Sequence, residues 1–460
     1  MSNFWDYSIW STILLISVLL GSLLAGNIVK KSLPFMRNSL IPTSVIGGVI
    51  LIVIAALYKW ATGNVMFDTA IFGGNGTATL EMITYHALAL GFIASTLKTS
   101  EGKLTKKRTV EIFNTGVTTV STYLLQAIVG LVITILAALV ISGFFKTAGI
   151  LLPFGYGQGT GQAMNYGNIY ETEHNFDGGK SFGLTIAAMG FLSASFGGII
   201  HLNVMRKRGN IKVNSAKEKL NNEKIESENE IPMQESIDKL TVQVALIFVA
   251  YVLTYVFMVL LGKALPGMKS TIYGFNFLLG VLSATIVKSV MNFFKKISTQ
   301  KKDYTNNFLL TRTSNFFFDV MVVAGIAAIR LDTLEKYWGI MLILGVAGLI
   351  VTYVYNRVVA KTLFKEYPEE QFLAMYGMLT GTASTGVILL REIDGDFKTP
   401  AADNLVYQNF PAIVFGFPIM LIATFAPGRE LLTVGILVAF FVVMNIILFR
   451  AQIFKRKKKK

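Results

Sequence analysis

Uncharged apolar stretches alternate with short polar ones along nearly the whole chain. They lie near residues 8–29, 41–58, 82–97, 112–145 and 181–205, and again near 240–262, 270–287, 313–329, 337–356, 404–428 and 431–449. Most approach the roughly 20 residues that a helix needs to cross the hydrocarbon of a bilayer. The pattern therefore predicts an all-α polytopic membrane protein with eleven transmembrane helices. The first stretch has no basic residue ahead of it and is about twice as long as the core of a secretory signal, so it reads as a span. The stretches holding His86 and Asp319 are the least hydrophobic of the set.

Two glycine- and threonine-rich runs stand apart, within 147–170 and 368–395. They contain Gly155-Tyr156-Gly157-Gln158-Gly159-Thr160-Gly161 and Gly377-Met378-Leu379-Thr380-Gly381-Thr382-Ala383-Ser384-Thr385-Gly386. Both are too polar and too broken for ordinary spans. Non-helical backbone at membrane depth survives only where it faces protein or a water-filled cavity, so both runs read as re-entrant hairpins. Paired interruptions at matching places in two halves of a membrane protein point to a transport site.

The halves match in order. The first span of each begins near 8 and 240, the span before the hairpin near 112 and 337, the glycine run at 155 and 377, and the next span near 181 and 404, giving offsets of 232, 225, 222 and 223. Five spans precede the centre of the chain, so the second half starts on the opposite face and the repeat is inverted. The expected organisation is a first repeat over 1–205, a charged linker over 206–239, a second repeat over 240–428, and an added helix with a basic tail over 429–460. High mixed charge without aromatics makes the linker a flexible segment.

Hydrophobic residues make up 53% of the chain and charged ones only 15%, which excludes an ordinary soluble domain. A formal charge of +15 would suit a nucleic-acid surface, but the basic residues sit in short loops and in the tail Lys455–Lys460. With the N-terminus outside, the inner loops hold 31 Lys and Arg and the outer ones 8, leaving aside Lys288, Arg391 and Lys398. This bias predicts an outside N-terminus and a cytoplasmic C-terminus. The absence of cysteine excludes disulfides and thiolate metal sites.

The chemistry of the two runs suits ion and carboxylate binding. Gly157, Gly159, Gly161 and Gly381 let backbone groups approach a ligand closely. Thr160, Thr380, Thr382, Ser384 and Thr385 supply hard hydroxyl oxygens, which suit alkali cations. Helix N-termini after each turn would offer unpaired N–H groups to carboxylates, and Gln158 and Gln162 add neutral donors. Small residues also simply permit close helix packing; two runs at equivalent positions favour a site over that reading.

The arrangement resembles the sodium:glutamate symporter family. Ile41-Pro42-Thr43-Ser44-Val45-Ile46-Gly47-Gly48 matches that family's Pro-x-x-x-x-Gly-Gly type of motif. Gly157-Gln158-Gly159-Thr160-Gly161 matches its Gly-His-Gly-Thr-Gly, with Gln158 in place of the histidine. Gly377, Gly381 and Thr385 fall where the family has Gly, Gly and Thr, while Ala383-Ser384 stands where a Thr-Pro pair is usual. The resemblance implies sodium-coupled symport of an anionic amino acid, glutamate first and another small organic anion as the alternative, by an elevator-like motion in a homodimer in the cell membrane. It further implies sodium as coupling ion and no other cofactor; the hydroxyl chemistry places that ion at Thr160, Thr382 and Thr385, and the inverted repeat brings Thr160 and Thr385 into one shared site.

Charged groups near spans are costly if they face lipid. Glu81 and Glu111 sit at span ends where water reaches them. Asp319 lies deeper, as a coupling-ion ligand or as a structural partner of a neighbouring helix. Arg391 is read as pairing locally with Glu392 or Asp394. An enzyme would need clustered acids or metal-ligating histidines, whereas His86, His174 and His201 are scattered, and no phosphate-binding loop motif is present. A channel is disfavoured by the paired hairpins.

The charge count yields a direct test. A cysteine placed at Lys217 or Lys460 should react with a membrane-impermeant maleimide only after the cells are permeabilised. Labelling of either position in intact cells would contradict the eleven-span topology.

Overall fold

The computed structural model describes residues 3–34, 36, 41–98, 105–208, 237–297, 302–394 and 398–453. It is all-helical, as hydrocarbon demands of a chain that must satisfy its own backbone polar groups. The helices are α1 (Tyr7–Ser32), α2 (Thr43–Thr62), α3 (Gly76–Leu97), α4 (Lys106–Val140), α5 (Leu151–His174), α6 (Gly179–Lys207), α7 (Lys239–Ala264), α8 (Lys269–Gly274) and α9 (Asn276–Ile297). They continue with α10 (Asn307–Ala327), α11 (Trp338–Leu363), α12 (Pro368–Thr380), α13 (Ala383–Arg391), α14 (Ala401–Tyr407), α15 (Asn409–Phe425), α16 (Glu430–Leu448) and α17 (Arg450–Ile453). Starts are marked by caps: Thr105, Asp238 and Asn306 accept from backbone amides in the first turns of α4, α7 and α10. Asn175 stops α5 with a left-handed φ of 55°.

Ten helices among the described residues are long and apolar enough to cross a membrane. The eleventh expected span, 404–428, is instead split at Gln408 into α14 and the 17-residue α15, which also carries Pro418 in its interior. Pro411 has no N–H to offer the carbonyl of Tyr407, so the helix cannot run through at full register. Most of the expected linker, together with Lys217 and Lys460, lies outside the described residues.

The chain forms two compact units, each drawing on both halves of the sequence. The first comprises 1–22, 51–103 and 218–328, and contains α3, α7, α9 and α10. Its core joins Leu90, Ile93, Ala94 and Leu97 of α3 to Ile247 and Ala250 of α7, Ala284 of α9 and Leu310 of α10. Gly91 permits the ring of Phe318 to lie on α3, where a Cβ would fall 2.7 Å from Cε1, and Ser314 Oγ donates to the Gly91 carbonyl at 2.9 Å. His86 is held by Tyr251 through Nδ1.

The second unit comprises 23–50, 104–217 and 329–460 and holds α4, α5, α6 and α11 to α17. Its core gathers Leu202, Ala360, Phe372, Leu373, Tyr376, Leu389 and Ile393. Helices α4 and α11 lie antiparallel. Gln126 Nε2 donates to Thr352 Oγ1 at 2.8 Å, and four residues away in opposite directions Asn356 Nδ2 donates to Thr122 Oγ1 at 3.3 Å.

Beside this core, Arg357 grips Glu369 in a fork, Nη1 to Oε2 at 2.5 Å and Nη2 to Oε1 at 2.6 Å. His201 Nε2 lies 3.0 Å from the same carboxylate and its Nδ1 2.8 Å from Tyr353 Oη. An ionised carboxylate only accepts, so the ring proton sits on Nε2 and Nδ1 accepts from the tyrosine. Glu369 is outside the ten candidate spans. Burial alone would raise its carboxyl, but hydrogen bonds from His201 and Arg357 and the guanidinium charge outweigh it and hold it down at about 2.

A carboxyl held below its ordinary value of 4.5 stabilises the folded state fully above that value and loses its contribution as pH falls toward about 2. In thermal unfolding of the purified protein, wild type should outlast Glu369→Gln at neutral pH, and the two should converge below pH 4.5. A gap that stays constant into acid would contradict this account.

Candidate functional site

The first glycine run folds as a helical hairpin. Helix α5 breaks at Gly159, whose φ of 80° and ψ of −171° suit only glycine. The chain reverses there: Phe154 and Tyr166, twelve positions apart, stack with ring centroids 4.1 Å apart. In a continuous helix they would be about 18 Å apart. Thr160 is completely buried and Gln162 nearly so, while Gln158 is partly exposed. Gln162 Oε1 accepts from Asn165 Nδ2 at 3.2 Å, and its Nε2 has no hydrogen-bond partner among the described residues. The close approach around Gly157 is tight, since a Cβ there would fall 2.0 Å from Cε1 of Tyr123.

The second run is also a hairpin, α12 and α13, with its turn at Gly381 and Thr382. Gly377 and Gly386 face each other across it, and a Cβ on Gly377 would meet Gly386 Cα at 2.7 Å. Thr382 is extended and caps α13, its Oγ1 accepting from Thr385 N at 3.4 Å and lying 3.3 Å from Thr385 Oγ1. A side chain on Gly381 would collide with that same Thr385 hydroxyl, 2.9 Å away. Thr380 Oγ1 is spent on the Tyr376 carbonyl at 2.6 Å. The side chain of Ser384 lies outside the described set.

Breaking a helix orphans carbonyls at the end of its first arm. Gly157 and Leu379 each stand two residues before their turn glycine, and both carbonyls are satisfied from α4. Tyr123 Oη donates to Gly157 O at 2.9 Å, and Gln126 Nε2 donates to Leu379 O at 3.0 Å. The two donors are three residues apart on one helix, so both hairpin turns converge on a single turn of α4. A second floor is α6. A Cβ on Gly190 would lie 2.5 Å from Thr380 O and 3.2 Å from the ring of Tyr156. Ser193, one turn on, lies against Tyr156 Oη through its hydroxyl and accepts from Tyr376 Oη at its carbonyl, each at 2.8 Å.

Sequence reasoning missed this framework. Thr115, Thr119, Thr122 and Gln126 recur at steps of four, three and four, a polar stripe inside an apolar stretch that was readable as one helix face. Gln371 Nε2 donates to Thr115 Oγ1 at 3.2 Å, Asn404 Nδ2 to Gln371 Oε1 at 2.9 Å, and Thr119 Oγ1 to Gln408 Oε1 at 2.9 Å. The second hairpin and α14 are thus tied to α4 by side-chain hydrogen bonds within the core.

Other candidates fall elsewhere. Asp319 lies on α10 of the first unit with an exposed side chain, whereas both hairpins belong to the second. Glu111 pairs with Arg108 at 2.7 Å in the first turns of α4. Asp394 accepts from Lys398 N, Thr399 N and Thr399 Oγ1, while the Arg391 side chain is exposed. Among the described residues no group of His, Asp and Glu could hold a metal ion; the oxygens available at the hairpins are hydroxyls, amides and carbonyls.

Ten apolar helices, with two buried helical hairpins whose turns share one floor, define a multi-pass membrane protein with a transporter-like core. The model of the sodium/glutamate symporter family matches residues 6–394, and the chain belongs to that family. The match takes in both hairpins and ends before α14. No curated protein matches the chain.

Proposed function

We propose that the protein carries glutamate across the cell membrane, coupled to sodium moving down its gradient, and binds both between the turns of the two hairpins. The observation that carries this reading is the pair of equivalent carbonyls, Gly157 O and Leu379 O, anchored one turn apart on α4. That anchoring brings two helix breaks, and hence two sets of unpaired backbone groups, to one place. The hydroxyls of Thr160, Thr382 and Thr385 serve sodium as neutral hard oxygens. The N-terminus of α13 and the unpartnered Nε2 of Gln162 serve the substrate carboxylates.

The antiparallel crossing of α4 and α11 supports an inverted repeat, with each hairpin following one of these helices and re-entering the membrane from its own side. The hairpin-bearing unit is the moving body of an elevator-like cycle, and the other unit the scaffold of a homodimer. The N-terminus lies outside and the C-terminus inside, a reading that the loop charges support.

Proteoliposomes test this directly. An inward sodium gradient should drive accumulation of radiolabelled glutamate, and replacing sodium by choline should abolish it. Thr160→Val and Thr385→Val remove one oxygen each at nearly constant shape and should weaken apparent sodium or glutamate affinity by about ten- to a hundred-fold. Uptake indifferent to sodium, or both valine variants behaving like wild type, would contradict the proposal.

A further inference from the structure

We propose that the crossing of α4 and α11 holds a separate alkali-cation site, built from the side-chain oxygens of Gln126, Asn356, Thr352 and Thr122. In keeping with the sodium-coupled reading on which this rests, its occupant is a coupling sodium ion. All four side chains are buried, none more than 1% exposed. Two of them carry acceptors with nothing to accept from: Gln126 Oε1 and Asn356 Oδ1 have no hydrogen-bond partner among the described residues. Leaving such groups unpaired in the interior is costly.

The amides cannot escape by exchanging their ends. Gln126 Nε2 donates to the backbone carbonyl of Leu379 at 3.0 Å, and Asn356 Nδ2 donates to that of Thr352 at 2.9 Å. A carbonyl only accepts, so turning either amide would set oxygen against oxygen. The Thr122 hydroxyl does not serve them either. The Thr122 hydroxyl proton is committed to the Thr118 carbonyl at 2.8 Å, leaving Thr122 Oγ1 as an acceptor too. Thr352 Oγ1 accepts from Gln126. The crossing is thus a surplus of oriented acceptors. The two rungs, Gln126 with Thr352 and Asn356 with Thr122, are four residues or about 6 Å of helix rise apart.

A cation relieves several acceptors at once, which no single donor does. The oxygens are neutral and hard, which suits a monovalent alkali ion; a divalent ion would call for carboxylates. The location gives the ion a task. The amide whose oxygen would bind it also clamps Leu379 O, two residues before the turn at Gly381. Occupancy fixes Gln126 and so fixes the second hairpin in the conformation that presents Thr382 and Thr385. Coupling of this kind is reciprocal: substrate held at the hairpin tightens the ion, and the ion tightens the substrate.

The test uses the full-length protein purified in detergent without glutamate, with its thermal unfolding midpoint followed as NaCl replaces choline chloride at constant ionic strength. Wild type should be stabilised by NaCl. Loss of one oxygen ligand in Asn356→Leu or Thr352→Ala should raise the NaCl concentration for half-maximal stabilisation about tenfold. Thr352→Ser, which keeps the hydroxyl oxygen, should hold that concentration near the wild-type value, and its comparison with Thr352→Ala keeps the test decisive if the leucine variant fails to fold. Half-maximal concentrations unchanged in every variant would mean that the amides hold buried water and would overturn the site, as would a wild type indifferent to NaCl. Sodium-driven glutamate uptake, measured after the same proteins are reconstituted into liposomes, separates the two readings: if it persists while the variants titrate like wild type, only this site falls.

Discussion

A backbone carbonyl inside a membrane protein must find a donor, because hydrocarbon supplies none. The chain breaks two helices in its interior and thereby orphans the carbonyls of Gly157 and Leu379. The answer is one helix face: Tyr123 and Gln126 of α4 donate to both. Much of the second unit follows from this requirement. Because both donors sit within one turn, both hairpins must bring their turns to the same level, and α6 must keep glycine at 190 so that Thr380 O and Tyr156 fit against it.

What this arrangement yields is a region rich in fixed polar groups and poor in charge. Glu369 is spent on Arg357 and His201, and Glu111 on Arg108. The groups left to meet a ligand are threonine hydroxyls, amide side chains and the start of α13. Neutral oxygens bind a monovalent cation without the large desolvation cost of a buried carboxylate, and helix starts meet an anion without a buried lysine. A symporter of an anionic amino acid has use for both.

Much of this was legible in the sequence. Apolar run length revealed the spans because a helix crossing lipid has few alternatives, and the glycine runs announced both turns because Gly159 and Gly381 occupy positions where a side chain is excluded by conformation or by contact. The split of the 404–428 stretch at Gln408 was less visible; it turns on Pro411, which hydropathy does not register. The framework on α4 was missed for a different reason. Gln126, Thr122 and Asn356 look like occasional polar residues in apolar helices, and their meaning appears only when α4 and α11 cross antiparallel. Asp319 presents the opposite case. It attracted notice as a charge within a span, yet it sits on the unit without hairpins.

The central claim is that the two hairpin turns meet in one site, and the cysteine-free chain makes the measurement clean. Cysteines replace Thr160 and Thr385, a protease site is placed in the 206–239 linker, and the membranes are treated with a short thiol cross-linker before cleavage. The account predicts that the two halves migrate as one product after cleavage and separate when either cysteine is omitted. Halves that separate with both cysteines present, in protein that purifies folded as a single species, would contradict it.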